Sequence, residues 1–257
     1  MTNSMAILSD AIHDLGDSLS LGLAWYFQKL SGKKGDARYT FGYRRFSLLG
    51  AIVNSIILAA GSAFILTRAI PRLLNPEPTH AGGMFLLAVL GVLFNGAAML
   101  RLEKGTSLNE KAVALHLMED VLGWVAVLIG SIVIYFTGWT IIDPILSIII
   151  MLYIVYNIYK NLRETIFIIL QGVPAGIDTN EIQKILKEQQ GVSDTRDLRV
   201  WSMDGTYNVM SVHLVLDKNY TMLEISQIKQ QVRESLKHLP IHDLTIATEP
   251  LELGGVS

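Results

Sequence analysis

Five long apolar runs set what this chain can fold into: Met5 to Phe27, Phe46 to Leu66, Met84 to Leu100, Ala112 to Phe136 and Pro144 to Ile158. An α-helix rises 1.5 Å per residue, so about 20 residues cross a hydrocarbon core roughly 30 Å thick. The two shorter runs span it by borrowing flanking residues. Covering five such helices inside a soluble globule needs more polar chain than exists here, since 51% of the 257 residues are hydrophobic and 17% are charged. The reading is therefore an all-α membrane domain of five helices over residues 1–170, followed by a soluble tail over 171–257.

Lys and Arg alternate between the connections, and cytoplasmic loops hold the excess of positive charge. The first connection carries Lys29, Lys33, Lys34, Arg38, Arg44 and Arg45, the third carries Arg101, Lys104 and Lys111, and the exit from the last helix carries Lys160 and Arg163. These belong inside. The connection with Arg68 and Arg72 among prolines, and the one from Thr137 to Ile142, face out. The tail is thus cytoplasmic in an integral, plasma (inner) membrane protein whose surroundings include membrane lipid. Only Met1 to Ser4 precede the first helix, so this N-out start reads as a truncated or misassigned beginning of an even-numbered chain.

The charge balance excludes one large class: 21 Lys and Arg against 23 Asp and Glu give a net charge of -2, which offers nucleic acid no basic surface. With no cysteine there is no disulfide, thiolate metal site or cysteine nucleophile, so any metal is held by nitrogen and oxygen. The phosphate-loop, dinucleotide, nucleophile-elbow and zinc-protease spacings do not occur, and the chain does not read as an enzyme.

Chemistry concentrates in two of the apolar runs. Their ionisable residues are Asp10, His13, Asp14 and Asp17 in the first and His116, Glu119 and Asp120 in the fourth, with Asp143 at the border of the last and no Lys or Arg among them. A carboxylate at the bilayer centre costs on the order of 2.5–3.5 kcal/mol on insertion scales, and here no internal cation offsets it. His13 with Asp17, and His116 with Asp120, are each four residues apart and so share a helix face; two facing helices supply two nitrogens and two oxygens, the donors of a tetrahedral zinc shell. One such spacing arises easily by chance in a chain with six histidines, and it recurs at His213 and Asp217 in the tail; what distinguishes the first two is their apolar setting without cations. Metal or protons compensate the acids, and a site that alternates between them exchanges one for the other. This donor set suits zinc or another borderline ion, with cobalt, nickel, manganese and ferrous iron left open. Asp10 and Glu119, one turn from the histidines, reach the same faces as supporting or access carboxylates, while Asp14 turns toward another helix or the cavity edge and Asn54 and Asn95 read as interhelical hydrogen-bond donors.

The tail reads as helix 179–189, strand 196–202, strand 207–216, helix 222–237 and strand 244–248, with Asp204-Gly205 marking a hairpin. That order gives an α+β, ferredoxin-like sandwich with one open sheet face, a dimerising or sensing module.

These residues resemble the cation diffusion facilitators, proton-coupled exporters of divalent metals. The resemblance rests on Ser9-Asp-Ala-Ile-His13-Asp-Leu-Gly-Asp17, Phe41-Gly-Tyr-Arg-Arg-Phe-Ser-Leu-Leu-Gly-Ala-Ile-Val-Asn54, Ser107-Leu-Asn109 leading to His116 and Asp120, Asp143-Pro144, and Asp197-Leu-Arg-Val-Trp201. It implies a homodimer with a cytoplasmic ferredoxin-like domain and one transport site per protomer at His13, Asp17, His116 and Asp120, with protons as counter-substrate and Zn2+ as the favoured cargo. Three departures stand out: the family has six helices and the one ahead of Met5 is missing, the loop Arg101 to Lys111 has no histidine, and of the family's cytoplasmic ligands only His213 and Glu249 have plausible counterparts. His238 and His242 read as solvated. The leading expectation is metal/proton antiport; the alternative is a non-transporting membrane metal sensor or regulatory subunit, and an intramembrane hydrolase lacks an open coordination position and a general base.

Overall fold

The computed structural model of the chain describes residues 2–103 and 108–250, with the backbone alone at Asp17, Ser20, Leu21, Ala24, 102–103 and 108–116. Its long helices are α1 (Met5–Ser31), α2 (Phe46–Leu74), α3 (Ala81–Glu103), α4 (Leu108–Thr137) and α5 (Ile142–Ile169). Four contain stretches long and apolar enough to cross a membrane: Phe46–Leu74, Ala81–Arg101, Leu117–Thr137 and Ile142–Ile169. α1 has the length, at 27 residues, but carries the polar Asp10, Asp14 and Asp17. The chain divides into two compact units, one of Met1–Tyr26 with Gly50–Leu162 and one of Phe27–Leu49 with Arg163–Ser257.

In the first unit the helix ends follow from local chemistry. α4 stops at Thr137 because Gly138 takes φ +71°, a left-handed conformation, and its N–H donates to the Ile134 carbonyl. α5 opens with Asp143 and Pro144, proline being tolerated in a first turn where its missing N–H has no partner to lose. Asp143 is fully buried, and its carboxylate accepts from the Ser4 hydroxyl and from the backbone N–H groups of Met5 and Ala6. Those amides are among the donors that a helix start leaves unsatisfied, so a side chain on α5 caps α1. Gly91 of α3 lies so close to Trp124 of α4 that a β-carbon there would stand 2.1 Å from the indole, which is small-residue packing between membrane helices. One apolar cluster joins Ala6, Met84, Ala88, Trp124, Val127 and Ile134, and another joins Met5, Ile65, Ala69, Met151 and Ile154.

The second unit contains the tail: α6 (Thr179–Lys187), β1 (Val192–Ser202), β2 (Asn208–Leu216), α7 (Met222–Ser235) and β3 (Asp243–Pro250). The strands pair in the order β1-β2-β3, with β1 antiparallel and β3 parallel to β2. The parallel pair needs a crossover, and α7 carries it. Asp178 caps α6, and Thr221 with Glu224 forms a capping box on α7. Met210, Val212, Leu214 and Leu216 of β2 point into a core with Ile182, Leu186, Ile228 and Val232, while Ser211 and His213 lie on the half-covered face. β1 begins at Val192, earlier than its sequence suggests. The register slips between Val192 and Asp194 and again between Arg196 and Arg199, where Asp197 takes φ +48°, a bulge that interrupts the alternation of the strand.

The connection from α1 to α2 belongs to this second unit and is internally braced. The Asp36 carboxylate accepts from the N–H groups of Arg38 and Tyr39 and from the Tyr43 hydroxyl, while the rings of Tyr39, Tyr43 and Phe46 pack together in tilted and edge-on contacts. Arg44 reaches the β1–β2 hairpin, 3.5 Å from Asp204 and 3.9 Å from the centre of the Tyr207 ring.

Candidate metal centre

α1, α2, α4 and α5 line an open cavity of about 530 Å³. Asp10 and His13 line it from α1, and Glu119 and Asp120 from α4. His13 Nε2 and Asp120 Oδ1 stand 3.9 Å apart across it, both partly buried. Asp10 is only 4% exposed, and its Oδ2 has no hydrogen-bond partner among the described residues. The Glu119 carboxylate accepts from the Tyr153 hydroxyl at 2.9 Å. Asp14 is exposed. Among the described residues the cavity is lined by no Lys or Arg, so its charged groups are acids and an imidazole.

The side chains of Asp17 and His116 lie outside the described residues; their backbone positions fall one helical turn from His13 on α1 and from Asp120 on α4. Among the described residues no three His, Asp or Glu side chains gather closely enough to hold an ion. The pair that is described joins one residue from each of the two helices marked out by the sequence motifs.

Sequence reasoning missed the contribution of α5. Tyr153, Asn157 and Asn161 line the cavity at four-residue spacing, and Asn54 of α2 joins them. The signal was present, since polar residues four apart in an apolar helix mark one face, but Asn161 lay past the apolar run.

In the tail, His213 Nδ1 and Glu249 Oε1 are hydrogen-bonded at 2.5 Å on the half-covered sheet face, where parallel pairing sets His213 beside Ala247. Arg196 is the cross-strand partner of His213, which places a cation beside the pair. His242 is exposed, as its sequence position suggested, but it is also engaged. It stacks on Tyr207 at 4.9 Å and its Nδ1 accepts from the Asn208 N–H at 3.1 Å.

The Asp204 carboxyl beneath Arg44 feels two opposed effects. Partial burial pushes it up, but the N–H groups of Tyr207 and Thr206, the Thr206 hydroxyl and the Arg44 guanidinium outweigh burial and hold it below the usual carboxylate range.

Comparison with known proteins agrees with this architecture along the chain. A family model described as the cation efflux transmembrane domain matches residues 1–170, and one described as the cation efflux protein cytoplasmic domain matches 174–251. A cadmium, cobalt and zinc/H(+)-K(+) antiporter of Bacillus subtilis is 34% identical over 253 residues, covering 97% of this chain and 81% of the relative. The metal cation efflux system protein CzcD of Cupriavidus metallidurans is 34% identical over 257 residues, 98% of this chain and 79% of the relative. The zinc transporter ZitB of Pectobacterium atrosepticum is 32% identical over 254 residues, 97% and 78%. Helices of membrane length closing on an acid-lined cavity, with these relatives, define a metal cation efflux transporter built into the membrane. The chain belongs to the cation diffusion facilitator family.

Proposed function

We propose that this protein exports divalent metal, zinc foremost, from the cytoplasm in exchange for protons, binding the ion at His13, Asp17, His116 and Asp120. The observation that carries the reading is the His13–Asp120 pair, which sets one nitrogen and one oxygen on opposite helices of an acid-lined cavity. Zinc bonds of about 2.0–2.1 Å at a tetrahedral angle put two donors roughly 3.3 Å apart. The 3.9 Å pair therefore needs only a small closure to grip an ion. Asp17 and His116, one turn away on the same helices, complete four donors.

Ligation requires a deprotonated carboxylate and a neutral imidazole, so binding expels protons and protonation expels metal. The buried, unpartnered oxygen of Asp10 adds an acceptor next to this site, and the Tyr153, Asn157 and Asn161 face of α5 supplies neutral polar groups along which a partly dehydrated ion reaches it. The antiporter name of the Bacillus subtilis relative supports proton exchange, that name and the Pectobacterium atrosepticum one support zinc, and the Bacillus name adds cadmium and cobalt as competitors.

In this reading the tail is cytoplasmic, the membrane is the plasma membrane and two chains pair through their tails, as the positive connections and the family model for the tail suggest. His213 and Glu249 form a second, weaker metal position in the tail, offering two of the four donors that a closed zinc shell takes. The test is metal-dependent proton movement in vesicles holding the purified protein. Asp120→Ala and Asp17→Ala are expected to abolish it while leaving the oligomer intact; full flux in either variant would overturn the assignment, and metal binding without flux in the unaltered protein would identify a sensor.

A further inference from the structure

The second unit contains a cavity of about 310 Å³ that the transport reading leaves unused. It lies between the connection that follows α1 and the tail, lined by Lys33, Lys34, Arg44, Thr40, Tyr207 and Asp243 among others. Its lining therefore has three cationic side chains against a single carboxylate. We propose that this cavity binds a phosphate group, and that Lys33, Lys34 and Arg44 are the side chains that hold it.

The cations are presented by a braced turn. Gly42 takes φ +80° and its N–H donates to the Tyr39 carbonyl, while the Tyr43 N–H donates to the Lys33 carbonyl. Gly35 passes so close to Thr40 that a β-carbon would stand 2.3 Å from the Thr40 carbonyl oxygen, so this crossing requires glycine. The Asp36 carboxylate closes the turn from the opposite side. Arg44 is oriented by Asp204 and Tyr207. Lys34 makes no hydrogen bond or ion pair among the described residues, so its ammonium is available to a ligand. A preformed concavity with a positive excess is what an oxyanion needs, because the ordering cost is met before the ligand arrives.

Two sources can supply the phosphate. Ser31 ends α1 and Phe46 begins α2, so the cations sit within a few residues of where two long helices emerge, at a level where anionic lipid headgroups gather on a cytoplasmic leaflet. A soluble phosphate presents the same chemistry. Neither source depends on whether the protein moves metal.

The experiment compares the unaltered protein with Lys33→Gln/Lys34→Gln in lipid nanodiscs. Retention of phosphatidylglycerol over phosphatidylcholine is read by native mass spectrometry, and the shift in melting temperature with added inorganic phosphate is read in detergent. Lys184→Gln/Lys218→Gln, which removes two exposed tail cations, is the control. A preference for phosphatidylglycerol that falls on the order of tenfold in the loop variant alone assigns the lipid source. A phosphate-dependent melting shift lost in that variant alone, without lipid preference, assigns the soluble source. The proposal is overturned if neither ligand is retained by the unaltered protein, or if both variants lose binding equally. Lys34→Gln alone repeats the comparison should the double variant fail to fold.

Discussion

A buried carboxylate with an unsatisfied oxygen costs stability unless a cation or proton offsets it. Asp10 is in that position, 4% exposed with Oδ2 unpartnered among the described residues. Asp10→Asn is therefore expected to leave melting in detergent unchanged or raised, by up to about 1–2 kcal/mol, while lowering metal-dependent flux. A clear fall in melting temperature would show that the carboxylate supports the fold. At this scale the candidate site was partly legible. His13 and Asp120 stood out because charged groups in apolar helices are rare and these lacked cations. Tyr153 and the α5 asparagines did not, because a neutral polar residue in a membrane helix fits an ordinary interhelical hydrogen bond equally well. The role of His242 could not be read, since it depends on Tyr207 and Asn208, which are distant in sequence and brought close by the parallel strand pair.

The long helices were legible because apolar length is a property of each segment alone; what sequence does not encode locally is how one helix fixes the start of another. Asp143 on α5 satisfies the Ser4 hydroxyl and two amides at the start of α1, the helix that carries His13. Asp143→Ala leaves those buried donors without an acceptor and is expected to cost about 2–3 kcal/mol, seen as a lower melting temperature with reduced metal affinity because His13 is no longer held in place. Asp143→Asn keeps a carbonyl acceptor and should recover part of both. Equal losses in the two variants would mean that charge, not capping, is what the helix start requires. The tail shows the same division. Alternation along β2 and the turn residues gave its strands and helices, but the bulge at Asp197 hid the first half of β1, because two residues facing one partner break the period-two pattern.

At the scale of the whole molecule, the connection Phe27–Leu49 and the tail form one compact unit, although the chain separates them by α2 through α5. Arg44, Asp204 and Tyr207 link the two segments, and no sequence pattern announces an ion pair between a loop and a distant hairpin. An ion pair with its guanidinium partly in solvent and its carboxylate half-buried contributes about 1 kcal/mol, and the guanidinium over the ring adds roughly 0.5–1 kcal/mol. The strap is thus weak enough to open, and acid is the means to open it. Asp204 is held below the usual carboxylate value of about 3.9, so its contribution is complete above that pH and is lost as pH falls through the lower folded value. Asp36, Asp194 and Glu224 are lowered as well and titrate in the same direction, so only a difference between proteins isolates Asp204. Melting of the tail, followed by near-ultraviolet circular dichroism from pH 7 to pH 3, should show Asp204→Asn less stable at pH 7 and flatter below pH 4, with the two curves converging at the acid end. Arg44→Ala should reproduce part of the loss at pH 7 and, by removing one of the groups that lower Asp204, move the acid transition to higher pH. Parallel curves for the unaltered protein and Asp204→Asn across the acid range would mean that another carboxylate governs the acid loss.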